Sequence, residues 1–226
     1  MAKNGILMIQ TDVLPDKEAE WNNWYDTKHI PARLEVPGIL AARRFIAIEG
    51  NPKYLTIYEL ASVEVLTSEA YLALRDREAS LPPDSFEFTT AKFPNFSRGL
   101  LELINPDQEE YRMPDSEIIF AVGHDVPPDK EEEFNAWYNT EHIPAMKRVP
   151  GILTARRFRA KQIQLPSRAG AKLSGPKYST LYDFEDDKIL ESESFLREKD
   201  SPWSFWVRSW YDRRFRILGR RIYPKR

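Results

Sequence analysis

The chain has 226 residues, 42% apolar and 30% charged, and its 33 basic and 35 acidic side chains leave a formal charge of -2. That balance is ordinary for a globular protein and offers no excess of positive charge to hold nucleic acid or an anionic membrane. Cysteine is absent, which excludes disulfides, thiolate nucleophiles and Cys-based zinc sites.

Gly5–Thr11 is a short apolar run rich in β-formers and reads as a buried strand. It is too short for a signal segment or a membrane span, so the chain is expected to be cytoplasmic, without membrane or nucleic-acid partners. Pro15-Asp16 opens a helix with acidic residues in its first turn. Pro31 disfavours helical geometry at the residue before it, so the helix is expected to end near Ile30. Val36-Pro37-Gly38 is a turn signal, and Ile39–Glu49 reads as a second strand. Asn51-Pro52 marks a hairpin, Tyr54–Leu60 a third strand, Ser62–Arg77 a helix and Phe96–Ile104 a fourth strand. The order is βαββαβ.

It then repeats. Residues 15–45 and 128–158 match at 22 of 31 positions at a constant offset of 113. The match resumes at Tyr54 and Tyr178 with an offset of 124, which places 11 extra residues (124 − 113) in the second copy near Gln162–Ser174. The second copy is expected as strands or helices at 117–124, 130–143, 152–161, 178–184, 187–208 and 214–223. We expect one unit over residues 1–112 and a second over 113–226. Each is a four-stranded antiparallel sheet with both helices on one face, and the bare faces of the two sheets cover each other.

With the repeat and the segments WYDTKHIP, VPGI and ARRF in view, the chain resembles the dimeric α+β barrel superfamily of ferredoxin-like domains, and within it the EthD-like group. The resemblance implies an α+β fold, two fused ferredoxin-like βαββαβ repeats whose antiparallel sheets pack as a barrel, with a pocket between each sheet and its helices. It also implies a choice among cofactor-independent monooxygenases, isomerases, cyclases, dehydratases and haem proteins, which fold alone does not settle.

Tyr25 and His29 stand four apart, as do Tyr138 and His142, so each pair shares a helix face. Each imidazole is expected in the last helical turn, where the dipole favours its protonated form, and beside a phenol it makes an acid–base set. Capping of the helix end by the imidazole is the structural alternative. His124 stands where the first copy has Thr11; a surface position at the strand end and a catalytic role are both open. Asp26 is replaced by Asn139 and Trp21 by Phe134, so the two sites cannot be chemically equivalent. In each of the pairs Arg43-Arg44 and Arg156-Arg157, one residue is expected to face the barrel and one the solvent. Arg44 and Arg157 are taken as candidate oxyanion partners, with surface charges as the alternative. Trp24, Trp137, Tyr178 and Tyr182 are candidate substrate contacts, and Tyr54 and Tyr58 repeat the last pair. Trp203, Trp206 and Trp210 form a helical stripe, read as core or as the wall of an aromatic pocket. The basic run 213–226 alternates with apolar residues as a strand with one solvated face.

No HExxH, GxGxxG, GKS/T or GxSxG motif is present, so neither metal nor cofactor is expected. The function expected is a cofactor-independent lyase, dehydratase or isomerase for a small apolar or aromatic molecule in a catabolic or secondary-metabolite pathway, as a monomer or homodimer. The alternative is a non-catalytic small-molecule or haem-binding protein, with a helix-end His on the iron, or an auxiliary of a degradative oxygenase system.

Overall fold

The computed structural model describes residues 3–106, 115–163 and 173–225. The first half contains β1 (Gly5–Thr11), α1 (Glu18–Trp24), α2 (Ile30–Leu34), β2 (Ile39–Gly50), β3 (Tyr54–Leu60), α3 (Glu69–Ala79), α4 (Phe86–Thr89) and β4 (Ser97–Asn105). The second contains β5 (Ile118–Asp125), α5 (Glu131–Trp137), α6 (Ile143–Met146), β6 (Ile152–Ala160), β7 (Tyr178–Phe184), α7 (Glu193–Glu198), α8 (Pro202–Arg208) and β8 (Asp212–Tyr223). The expected boundary at 112/113 lies outside the described residues, as do residues 164–172 of the insertion.

The strands close a barrel in the order β1-β3-β2-β8-β5-β7-β6-β4. Each half contributes four antiparallel neighbours in the ferredoxin-like order, and the halves join by hydrogen bonds along β2–β8 and β4–β6. The two sheets therefore meet edge to edge as well as across the interior, and no barrel strand keeps an open edge.

Alternation along the strands sends one set of side chains inward and the other beneath the helices. Ile6, Met8, Phe45, Leu55, Ile57, Ile119, Phe158, Leu181 and Ile217 fill the barrel. Two further cores, one per half, lie between sheet and helices. Inside the barrel Arg43, Glu59, Arg156 and Asp183 form a buried quartet that crosses between the halves. Arg43 bonds Asp183 at 2.6 Å, while Arg156 bonds Glu59 and Asp183 at 2.9 Å each. Ser116 and Thr154 each donate to Asp183 at 2.8 Å. Burial pushes the Asp183 carboxyl up, but Arg156 and Arg43 outweigh it and hold its pKa at about 2. For Glu59 burial wins over the same two arginines, and its pKa is raised.

Several sequence expectations are corrected here. Both members of each Arg pair are buried: Arg44 and Arg157 turn under the helices, not to solvent. The helix expected over 187–208 is split, because Ser192 and Ser201 each cap a new helix and Pro202 opens the second. That split breaks the Trp stripe: Trp203 and Trp210 pack on the core, while Trp206 is 52% exposed on α8. The helix expected from Ser62 is split into a 3-10 helix over Val63–Thr67 and an α-helix that begins at Glu69, where the Ser68 side chain accepts from the Tyr71 N–H. The Val-Pro-Gly turns are as expected, with Gly38 and Gly151 at φ of 91° and 86°, where a side chain would be strained.

Candidate functional site

Each half carries its Tyr and His on one wide helical turn. Between α1 and α2 the residues Tyr25–His29 are π-helical, and between α5 and α6 so are Tyr138–His142. The N–H of Ile30 bonds the Tyr25 carbonyl, and that of Ile143 bonds the Tyr138 carbonyl, five residues back. Proline follows at once, at 31 and at 144. Proline donates no N–H and its ring crowds the carbonyl four residues back, so widening the turn lets the helix continue through it. The expected stop at Ile30 is thus replaced by α2, and the histidines lie inside the helix, not at its end.

The wide turn also decides what the imidazoles touch. In a regular α-helix, residues five apart diverge by about 140°. Here Trp24 and His29 lie with ring centroids 4.5 Å apart, and Trp137 stacks on His142 at 4.5 Å and 22°. Tyr25 and Tyr138 flank the same imidazoles at 4.6 and 5.2 Å. Aromatic packing sets the ring orientation, since Nδ1 of His29 and of His142 is buried with no hydrogen-bond partner.

Beneath these turns, Arg44 bonds Asp26 and Asn22, and Arg157 bonds Asn139 at 2.6 Å and Asn135 at 2.9 Å. Their guanidinium carbons sit 4.4 Å from the Tyr25 ring centre and 4.2 Å from that of Tyr138. Neither is among the residues that line the two cavities described below; they brace the tyrosines from beneath. Tyr54 and Tyr178 are tied to Glu18 and Glu131 and also lie below the cavity floor.

The second-half cavity is about 900 Å³ including its mouth. His142, His124, Trp137, Tyr138, Tyr182 and Tyr211 line it, with Phe120, Val122, Met146, Leu190 and Phe195. His124 is 3% exposed, 4.4 Å from the Tyr211 ring, so it is a cavity residue and not a surface one. Burial, reinforced by Arg208 and Arg157 for His142 and by Arg213 for His124, lowers both imidazoles to a pKa of about 3. They are neutral, contrary to the protonated state expected from the helix dipole. Burial likewise raises Tyr138 to about 12. Lys199, Arg208, Arg213 and Arg216 complete the lining, and no carboxylate is among the described residues that line it.

The first-half cavity is smaller, about 560 Å³ including its mouth. Trp24, Tyr25, His29, Tyr58 and Tyr71 line it with Leu7, Ile9, Phe86 and Phe96, and Arg33, Arg75, Arg98 and Glu87 supply its charges. Burial, then Arg33 and Arg75, push His29 well below the usual imidazole range.

Trp24, Trp137, Tyr182, His29, His124, His142, Tyr25 and Tyr138 are thus brought to the cavities, whereas Arg44, Arg157, Tyr178 and Trp206 are not. The missed residues are the cavity cations. Arg98 faces Ile9 in the barrel register, and Arg216 faces Val122, the same place in the second half. Strand alternation on β4 and β8 could have found this pair; Arg33, Arg75 and Arg208 needed the tertiary fold.

Among the described residues no group of three or more His, Asp or Glu could hold a metal ion, and no helix is long and apolar enough to cross a membrane. A haem-ligating imidazole needs an acceptor for its other N–H, which fixes the ring and raises its basicity. Nδ1 of each cavity histidine is buried without one, so these residues do not fit haem.

Solved structures of the same topology run nearly the full length. A crystal structure of an anthrone oxidase-like protein aligns at a TM-score of 0.61 and 13% identity, covering 99% of this chain and 92% of that one. The fold is that of the dimeric α+β barrel superfamily. A candidate chlorite dismutase gives a TM-score of 0.61 at 12% identity, over 98% of this chain and 96% of that one. A candidate monooxygenase from Fusobacterium nucleatum gives 0.56 at 10% identity, over 97% and 94%. The family model "Domain of unknown function (DUF4286)" matches residues 117–215, the larger part of the second barrel half. No curated protein matches the sequence.

Proposed function

We propose that the second-half cavity is the working site of a cofactor-independent enzyme that moves a proton on a small aromatic anion, with His142 as the proton acceptor. The observation that carries this is the pairing of two neutral imidazoles with a lining of four cations and aromatic walls in one cavity. A proton leaves an acidic carbon of the substrate for the imidazole, and the resulting enolate or phenolate charge is shared with Arg208, Arg213 or Arg216. Return of the proton to another carbon completes an isomerisation; its delivery to a leaving oxygen completes loss of water. With a pKa of about 3 the imidazole of the free protein is a weak base. A substrate carboxylate beside it favours the imidazolium and raises that value, so the base gains strength as the anion enters. The likeness of the WYNTEHIP segment to the EthD-like group supports a place in small-molecule breakdown, and the neighbours described as an anthrone oxidase-like protein and a candidate monooxygenase are compatible with carbanion chemistry as the first step.

Phenylpyruvate, an enolisable aryl keto acid, tests this by exchange of its benzylic hydrogens in D2O, followed by NMR. The wild-type protein should accelerate exchange over buffer, and His142→Gln should lose at least about 100-fold of that acceleration. Equal exchange by the wild type and His142→Gln would sink the assignment.

A further inference from the structure

One cation of the first-half cavity points to a ligand. Arg33 and Arg75 both bond Glu78, at 2.5 and 2.6 Å, so one carboxylate serves two guanidiniums. Glu87 accepts from the Trp24 indole at 2.9 Å. Arg98, from β4, donates to the Tyr71 hydroxyl at 3.1 Å, and among the described residues no carboxylate lies within ion-pair distance of it. Three cations thus face two carboxylates, and the unneutralised charge is the one on Arg98. Burial lowers the Arg98 pKa from its ordinary value, with Arg75 and Arg33 adding to the effect. The equivalent Arg216, in the lining of the second cavity, is paired with Glu49 at 2.9 Å. Around Arg98 the walls are apolar or aromatic: Ile9, Trp24, Phe86 and Phe96.

We propose that the first-half cavity is a binding site for a one-ring aromatic carboxylate, its carboxylate on Arg98 and its ring between Trp24, Phe86 and Phe96. A guanidinium offers two parallel donors to a carboxylate, and in a desolvated cavity such a pair is strong and geometrically selective. Of the described cations in this cavity, Arg98 alone has that fork unspent on a carboxylate. The apolar walls favour a ring over a short aliphatic acid, and the volume, smaller than that of the second cavity, favours a single ring. His29 lines the same cavity in its neutral form and gives the anion no competing charge. This site is independent of the catalytic reading, because it belongs to the other half and predicts binding, not turnover.

Calorimetric titration of the full-length protein with benzoate, 4-hydroxybenzoate and phenylacetate, and with benzamide as the neutral control, tests it. At least one of the acids should bind more tightly than benzamide. Arg98→Gln should weaken that acid by about 10- to 100-fold, the loss of a charge-assisted pair, and leave benzamide unchanged. Arg98→Lys, which keeps the charge but not the fork, should fall between. Ala91 also lines this cavity, and Ala91→Trp, which fills it, should remove the same component of acid binding that Arg98→Gln weakens; it serves if the Arg98 variants fold poorly. His142→Gln should bind as the wild type does, which separates this site from the proposed catalytic one. The proposal is overturned if none of the three acids binds more tightly than benzamide. It is equally overturned if Ala91→Trp and Arg98→Gln leave every component of acid binding as in the wild type, or if Arg216→Gln is the variant that loses the tighter component.

Discussion

The two cavities share a frame and differ in their furniture. In both, a π-turn ahead of a proline sets Trp, Tyr and His around one opening, and an Arg on the second strand of the half braces the Tyr from below. What differs arrives from the strand ends and the second helical layer. Thr11 closes its strand by bonding to the Asp12 and Pro94 carbonyls, whereas His124 at the same place enters the cavity. Trp24 is tied to Glu87, whereas Trp137 is tied to Ser204 on α8. Arg98 has no carboxylate partner among the described residues, whereas its equivalent Arg216 pairs with Glu49. Duplication kept what holds the turn in shape and released what lines the cavities.

The comparison breaks most sharply at the imidazoles. His142→Gln should cost about 10²- to 10⁴-fold in proton-exchange rate, while His29→Gln should leave that rate within about threefold. Equal losses would mean that both halves work. Next in size is the seam. Asp183→Asn leaves Arg43 and Arg156 with one carboxylate in place of two and should lower unfolding free energy by about 3–5 kcal/mol in urea titrations, with both halves melting together. A change below about 1 kcal/mol would show that the quartet does not tie the halves.

Acid should separate them further. His124 and His142 stay neutral in the fold down to a pKa of about 3, while unfolded imidazoles take up protons from near pH 6.5. The unfolded state therefore binds more protons between about pH 6.5 and 3, and stability falls as pH drops through that window. His29 and, below its ordinary range, Asp183 act with the same sign. His124→Thr, which copies the first half, should flatten the dependence of the urea midpoint on pH; an unchanged slope would remove His124 from the account. Smaller again, Trp21→Phe copies Phe134 and loses the bond to Thr90 at 3.1 Å, and should cost about 1–2 kcal/mol. Trp206→Ala, half exposed on α8, should cost about 0.5 kcal/mol or less, measured the same way.

The repeat and the strand patterns made the fold readable, because periodicity reports which face is buried without needing the partner. Barrel closure through β2–β8 and β4–β6 was less readable, since apolar alternation does not say which edge meets which. Pro31 misled: its effect on the preceding residue is real, but a local change of helix pitch absorbs it, and nothing in the residue types of YDTKH signals that. The arginine pairs misled for another reason. Four charges read as at least half solvated are wholly buried, because their partners, Glu59 with Asp183 on the inside and Asp26, Asn22, Asn135 and Asn139 on the outside, come from distant strands and helices. The neutral state of the histidines followed from burial depth, which spacing cannot supply.

The seams β2–β8 and β4–β6 each join one half to the other within a single polypeptide. A ring assembled from separate copies closes by a bimolecular encounter and loosens on dilution; here closure of the barrel is a first-order event within one chain. The tether also frees each lobe from the other's mutations. In a ring of identical copies any change appears twice, whereas here a residue such as His124 can enter one chamber while Thr11 stays in the other.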